Sequence, residues 1–209
     1  MPFVFEPQRA PNTRTYFDNH SIHILCIGKY EPRKHHLMLL EIAEKLHDKY
    51  PLHLTLIGEA TTAFQKEYHE KVEAYVKEHH MDGYVTVKTN VPRKEMEDEY
   101  TAADIYVIPS TREMASVSQL EAMSYSLPVI CSDANGTASY VEDGITGYQF
   151  RDCDQDDLLR KLEFLMSDQD RIRQMGTAGY LTLMEKYNFD HYYNKVMQMR
   201  EKILQEHLY

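Results

Sequence analysis

Short apolar runs alternate with helix-like segments along most of this chain, and that alternation limits the folds open to it more than any other feature. Strands are predicted at 21–28, 51–58, 84–88, 104–110, 127–133 and 147–150. Between and after them, apolar residues recur three or four positions apart, which is the spacing of a helix face. Helices are predicted near 34–49, 62–80, 93–102, 116–126, 155–167, 169–187 and 190–207, with a short helical turn near 136–142.

Strands that alternate with helices form right-handed βαβ units, and these build a parallel, doubly wound α/β sheet. We therefore expect a Rossmann-like domain of about six strands over residues 21–187. Residues 1–20 are expected to be a linker or arriving segment, and 188–209 a C-terminal helical extension. Ligands of such sheets bind beyond the carboxyl ends of the strands. The loops of interest are 28–35, 58–62, 89–93, 110–118 and 133–138.

Charge and composition argue against several classes of partner. The net charge of −10 over 209 residues argues against nucleic acid or an anionic membrane surface as the main partner. No apolar run approaches the roughly 20 residues of a membrane helix, and we expect no secretory signal. The 3 cysteines lack metal-binding spacing, so reduced thiols in the cytoplasm are expected.

The turn after the first strand, GKYEPRKHH at 28–36, concentrates positive charge in an acidic chain. Lys29, Arg33 and Lys34 could hold a diphosphate, since Lys supplies point charges and Arg grips two oxygens. Taken alone, the turn is explained more simply as solvated surface at a helix start. The turn lacks the G-x-G-x-x-G fingerprint, and Tyr follows its Gly-Lys, so neither a dinucleotide motif nor a P-loop is present.

Two glutamates eight residues apart, Glu113 and Glu121, flank the start of a predicted helix. Ser116 with Gln119, and Ser118 with Glu121, each fit a capping box. The free N–H groups and the dipole of such a helix start attract phosphate, and Glu121 could accept hydroxyls of a ribose. Alternatively, Glu121 is only a capping carboxylate and Glu113 an exposed loop acid. A carboxylate on each side of an anion site suits a nucleotide-sugar.

Two other patterns are weaker. The loop at Gly136 could offer backbone donors to a ligand, although glycine there could simply make a turn. Asp152 and Asp154 have the spacing of a D-x-D metal site, but Asp154 is better explained as the N-cap of the helix that follows. No metal site is predicted from these residues.

Taken in order, these motifs resemble the C-terminal, donor-binding domain of a retaining glycosyltransferase of the GT-B fold, of the group 1 type (glycosyltransferase family 4). The resemblance covers about residues 21–190. It departs from the family pattern at Met114-Ala115-Ser116, where an aromatic or proline with glycine is common, and at Ser126, where glycine is usual. The matching residues are Gly28 with Lys29 and Lys34, Gly58, ADIYVIPS at 103–110, Glu113 with Glu121, the loop 135–137 and EDGITGY at 142–148.

The resemblance implies roles for individual residues. Lys29 and Lys34 would neutralise the diphosphate of a UDP-sugar or GDP-sugar and stabilise the leaving nucleotide, so no metal would be required. Glu113 would contact hydroxyls of the transferred sugar and complete the catalytic set, and Glu121 would bind the ribose. The other donor-binding positions would be Gly28, the amides of Ala115, Ser116 and Val117, the base-bordering Thr89 and Val91, and Gly136.

The resemblance also implies a partner. A GT-B enzyme has an N-terminal Rossmann-like domain that binds the acceptor, and the helix at 188–209 would pack toward that domain. We expect a donor-binding half, inactive alone, for transfer of a hexose-type sugar to a glycan or lipid-linked acceptor in polysaccharide synthesis. Any membrane contact, at the inner face, would be made by the N-terminal domain. A same-fold nucleotide-sugar epimerase, a phosphorylase-like domain and a non-catalytic nucleotide-binding module are the alternatives.

Overall fold

The strands and helices of this computed structural model, which describes residues 15–17 and 20–206, follow the predicted alternation closely. The linker predicted over 1–20 lies largely outside the described residues. The strands are β1 (Ile22–Ile27), β2 (Leu52–Gly58), β3 (Val85–Thr89), β4 (Ile105–Ile108), β5 (Val129–Ser132) and β6 (Gly147–Phe150). The helices are α1 (His36–His47), α2 (Ala63–Glu78), α3 (Met96–Ala102), α4 (Val117–Ser124), α5 (Gln155–Met166), α6 (Gln169–Lys186) and α7 (Phe189–Glu206).

The strands form one parallel sheet in the order β3-β2-β1-β4-β5-β6, which confirms the doubly wound α/β prediction. Strand order reverses between β1 and β4, since β1 pairs with β2 on one side and with β4 on the other. The loops that follow β1 and β4 leave in opposite directions there and open a crevice. The loops after β1 and β4 are therefore the first place to look for a ligand site in this fold.

Three predicted helices start differently from expectation. The helix expected from residue 34 begins at His36, because Pro32–Lys34 form a 3-10 turn and His35 adopts a left-handed conformation with φ of 53°. A 3-10 turn at Arg93–Glu95 likewise precedes α3. The short turn near 136–142 is a 3-10 turn at Ala138–Tyr140.

The core has one apolar layer on each face of the sheet. Along β1, Ile24 and Cys26 face one layer and Leu25 faces the other, as the two-residue period of a strand requires. The first layer includes α1, α2 and α5, and the second includes α3 and α4. Burial on both faces holds the strands rigidly, and so their carboxyl ends are a fixed platform for the loops.

Helix α7 packs against α6 and leaves a row of apolar side chains exposed. No helix within the described residues is long and apolar enough to cross a membrane. The exposed side chains of α7 are Phe189, Tyr193, Val196, Met199, Ile203 and Leu204.

Candidate functional site

A cleft of about 400 Å³ opens at the carboxyl ends of β1, β2 and β3. Its walls are largely apolar, while Lys29 and Glu59 place opposite charges on its exposed edge. An apolar cleft with few polar groups is typical of small-molecule sites. The lining residues are Ile27, Gly28, Lys29, Ile57, Gly58, Glu59, Asn90, Val91 and Met96.

Backbone hydrogen bonds fix the loops around this cleft. The N–H of Tyr30 donates to Glu59 O (3.0 Å), and the N–H of Asn90 donates to Gly58 O (2.9 Å). The side chain of Asn90 accepts from the N–H of Ala60 at 3.1 Å. A Cβ on Gly58 would lie 2.5 Å from both the Tyr30 ring and the carbonyl of the first loop, so glycine is required where the loops meet.

Arg33, Lys34 and Glu113 form an ion cluster, here called the switch-point cluster, between the loops after β1 and β4. Arg33 Nη1 lies 3.1 Å from Glu113 Oε2, and Lys34 Nζ bonds to the same oxygen. Only 10% of the Lys34 side chain and 12% of the Glu113 side chain are exposed. The carbonyl of Arg33 accepts from the N–H of Thr111 at 2.9 Å, so the loops are also joined by backbone.

Lys29 lies in a different environment and forms what we call the cleft-edge pair with Glu59. Lys29 Nζ is 3.4 Å from Glu59 Oε2, with 51% of the Lys29 side chain and 44% of the Glu59 side chain exposed. The hydrogen bond from Thr61, followed by the contact with Lys29, lowers the pKa of the Glu59 carboxyl. The two lysines expected to act together on a diphosphate therefore have separate carboxylate partners.

The start of α4 is capped by Ser116, whose Oγ accepts from the N–H of Gln119 at 3.3 Å. In a complete capping box the side chain of Gln119 would also accept from the backbone N–H of Ser116, but here it bonds elsewhere. The Gln119 side chain reaches the neighbouring loop, where it donates to Thr137 O (2.7 Å) and accepts from Asn135 Nδ2 (2.9 Å). Gln119 thus ties the loop at 135–137 to the helix start.

Glu121 lies one turn into α4 and is 24% exposed. Its Oε2 accepts from the hydroxyl of Tyr100 at 2.7 Å. The second capping box proposed from the sequence, which would begin at Ser118, is wrong because the helix is capped at Ser116 and Ser118 lies inside it. Glu121 is therefore not a capping carboxylate, and that alternative explanation for it is removed.

The loop carrying Gly136 packs directly against the chain around Glu113. The N–H of Gly136 donates to Glu113 O at 2.7 Å, and that donor is therefore already engaged. A Cβ on Gly136 would lie 2.0 Å from Met114 O, so the close approach requires glycine. The N–H of Ser116 donates to Thr137 Oγ1 at 3.4 Å.

The remaining predicted positions spread along the same edge of the sheet. Ala115 is partly buried, and Val117 is half exposed at the start of α4. Val91 and Gly28 line the cleft, whereas Thr89 is exposed at the end of β3, where it pairs with Gly58.

Neither aspartate of the D-x-D pattern lies in a metal-binding cluster. Asp154 caps α5 by accepting from the N–H of Asp157 at 2.9 Å, as predicted. Asp152 accepts from the hydroxyls of Thr111 (2.7 Å) and Ser132 (3.0 Å), and it thereby joins the loops after β4 and β6 to the end of β5. In the part of the chain that the structure describes, no three His, Cys, Asp or Glu side chains are grouped as metal ligands.

Sequence reasoning missed several residues of the site. Glu59 directly follows the glycine that ends β2, so its position at the cleft could have been inferred from the strand end. Asn90 and Met96 also line the cleft. Tyr100, the partner of Glu121, gave no comparable signal, because 21 residues separate the two.

The sequence of this chain is similar to those of known glycosyl transferases. Residues 14–182 match the sequence family described as glycosyl transferases group 1. Over 127 residues the chain is 28% identical to alpha-maltose-1-phosphate synthase of Mycolicibacterium smegmatis, a match that covers 58% of this chain and 33% of that protein. The matched part of the chain thus corresponds to about a third of that relative.

Solved structures share the fold at low identity. The C-terminal domain of a glycosyl transferase group 1 family protein from Francisella tularensis matches 86% of this chain and 95% of its own, with a TM-score of 0.75 and 23% identity. The Anabaena protein HepE, in complex with UDP and glucose, matches 87% of this chain and 48% of its own, with a TM-score of 0.73 and 13% identity.

Proposed function

Because this chain belongs to the group 1 glycosyl transferases, we propose that it is the donor-binding part of a retaining glycosyltransferase and that it binds a nucleoside diphosphate sugar. The observation that carries the proposal is the succession along one sheet edge of an apolar cleft, a cluster of cations and a helix start flanked by two glutamates. Each part matches one part of such a ligand, namely the base, the diphosphate and the two hydroxyl-bearing sugars.

The nucleobase is assigned to the cleft beside Val91 and Met96, with Thr89 bordering it. The solved complex of HepE with UDP supports a uridine nucleotide as the first ligand to test. The ribose hydroxyls are assigned to Glu121, which is partly exposed and held by Tyr100. A carboxylate fixed in this way can accept two hydroxyl donors at once.

The diphosphate is assigned to Lys29, Lys34 and the start of α4, near Gly28, Ala115, Ser116 and Val117. Fixed positive charge stabilises the departing nucleoside diphosphate in the way that an oxyanion hole stabilises an anion, and that chemistry needs no metal. Glu113 orients Lys34 through their ion pair and is assigned to hydroxyls of the transferred sugar. The N–H of Gly136 donates to the backbone carbonyl of Glu113 and so helps to hold this residue in position.

The acceptor is assigned to an N-terminal domain that would complete the active site. The exposed apolar row of α7 is the surface we assign to that domain, because α7 packs against α6 and leaves these large apolar side chains exposed to solvent. Transfer of a hexose-type sugar to a glycan or lipid-linked acceptor would then require both domains, and the donor-binding part alone would bind nucleotide without transferring sugar.

Calorimetric titration with UDP, GDP, ADP and dTDP tests the donor-binding role. We expect one nucleotide to bind selectively, and Glu121→Ala to weaken it at least tenfold, since hydrogen bonds to a charged group contribute about 1.5–3 kcal/mol. Glu70→Ala, on the exposed side of α2, is the matched control and should leave the affinity unchanged. Failure of all four nucleotides to bind, or equal losses in the two variants, would contradict the proposal.

A further inference from the structure

The cations that face the proposed diphosphate are already neutralised in the free protein. Glu59 lies 3.4 Å from Lys29, Glu31 lies 2.8 Å from Arg33, and Glu113 bonds to both Arg33 and Lys34. The 3 cations are thus matched by 3 carboxylates. A diphosphate that enters this region gains little net attraction unless a carboxylate gives up its cation.

Glu59 is the carboxylate best placed to do so. Its partner Lys29 is half exposed and lines the cleft, whereas Lys34 is held in a largely buried cluster. An exposed pair at 3.4 Å is screened by water, so it is weak and easily exchanged. Phosphate oxygens at the cleft would therefore compete for Lys29 before they could disturb Lys34.

Glu59 is also fixed in position, unlike an ordinary surface glutamate. Its carbonyl accepts from the N–H of Tyr30 at 3.0 Å, and its Oε1 accepts from the hydroxyl of Thr61 at 2.9 Å. Asn90 holds the next residue through the N–H of Ala60. The loop thus presents one carboxylate oxygen to Lys29 while the other stays bonded to Thr61.

We propose that Glu59 is a built-in competitor of the diphosphate, which holds Lys29 in the free protein and is displaced from it when a nucleoside diphosphate binds. This inference rests on the proposed donor-binding role. It assigns to Glu59 the function of limiting affinity, so that the nucleoside diphosphate left after sugar transfer can dissociate. Because the competition is purely electrostatic, it acts on the phosphates and not on the nucleoside.

The test compares Glu59→Gln with wild type in titrations with UDP and GDP and with the nucleosides uridine and guanosine. Glutamine keeps an oxygen for the Thr61 hydroxyl but removes the charge. The preferred diphosphate should bind about three- to tenfold more tightly to the variant, as expected for removal of one exposed charge near an anion. Nucleoside binding should be unchanged, and the gain should shrink at high salt.

Two controls isolate the mechanism. Glu67→Gln removes another exposed, ion-paired carboxylate, the partner of Lys71 (2.8 Å) on α2, and should leave nucleotide affinity unchanged. In a Lys29→Met background, the gain from Glu59→Gln should largely disappear, since the competition is for Lys29. Thermal unfolding of each variant establishes that the fold is retained.

The outcomes separate this inference from the proposed function. If wild type binds a diphosphate and Glu59→Gln binds it equally or more weakly, the inference is overturned and the donor-binding role stands. The inference is also overturned if the gain persists without Lys29 or extends to the nucleosides. If no protein in the series binds any nucleotide, both the inference and the donor-binding role fail.

Discussion

The two lysines of the turn after β1 occupy opposite environments, although they lie only five residues apart. Lys34 is largely buried in the switch-point cluster with Arg33 and Glu113, while Lys29 is half exposed in the cleft-edge pair with Glu59. Burial removes screening by water, so the charges in the cluster interact strongly. The charges at the cleft edge are screened and interact weakly, so a ligand can replace one partner. We therefore expect the cluster to fix the geometry of the proposed site and the edge pair to adjust its affinity for the nucleotide.

The largest difference between the two regions should appear when each lysine loses its charge. Lys34→Met should lower the free energy of unfolding by about 3 kcal/mol, because it leaves Glu113 largely buried with Arg33 as its remaining partner. Lys29→Met should change stability by less than about 0.5 kcal/mol. Urea denaturation of both variants measures the difference.

A double variant shows whether the loss comes from the unpaired carboxylate. Lys34→Met combined with Glu113→Gln should recover part of the stability, since no net charge is then left near the site. Equal losses in Lys34→Met and Lys29→Met would break the comparison.

Acid should destabilise the buried region through His36, which lies next to the cluster. Burial, followed by the charge of Lys34, lowers the pKa of His36 from 6.5 to about 3. The neutral imidazole is therefore favoured by folding. Its contribution is fully present above pH 6.5 and is lost as the pH falls toward 3, up to roughly 3 kcal/mol at pH 4.

Variants test this pH dependence. Relative to wild type, His36→Phe should lose less stability between pH 7 and pH 4, as measured by urea denaturation at each pH. Lys29→Met, at the cleft edge, should keep the wild-type profile. Parallel profiles for wild type and His36→Phe would show that this histidine does not link folding to pH.

Glycine substitutions contrast two close contacts of the site. A Cβ on Gly136 would meet backbone, the Met114 carbonyl at 2.0 Å, whereas a Cβ on Gly28 would meet the flexible side chain of Lys34 at 3.2 Å. Gly136→Ala should therefore destabilise the protein by about 2 kcal/mol and Gly28→Ala by less than about 1 kcal/mol. Thermal unfolding of the two variants measures the difference. A larger loss of stability in Gly28→Ala than in Gly136→Ala would show that the Gly136 loop can move away from Glu113.

Much of the fold could be predicted from the sequence because its signals are local. Each strand is a compact apolar run, and each helix keeps its spacing over several turns. The helix start at His36 was missed because the left-handed His35 interrupts a segment with helical spacing. Ser126, which departs from the glycine usual in the family, has φ of 57°, a conformation in which glycine carries no penalty.

The site was predictable only as far as strand ends determine it. Loops after parallel strands meet at one edge of the sheet, so the proximity of the first loop to Glu113 follows from topology. The hydrogen-bond partner of each side chain does not follow from the topology, because it depends on differences in distance of a few ångströms. Gln119 illustrates this: its side chain leaves the expected capping box and bonds to Asn135 and Thr137.

The smallest predicted effect concerns Tyr100, which joins the second core layer to the ribose-binding carboxylate proposed here. Its hydroxyl donates to Glu121 at 2.7 Å. A hydrogen bond to a charged group contributes about 1.5–3 kcal/mol, and only part of that should appear in ligand affinity because the carboxylate itself remains in place. Tyr100→Phe should weaken binding of the preferred nucleotide about threefold by releasing the carboxylate, and Glu121→Ala should weaken it more. In a Glu121→Ala background the tyrosine change should have no further effect on affinity. An additional loss there would mean that Tyr100 supports the site by packing and not through Glu121.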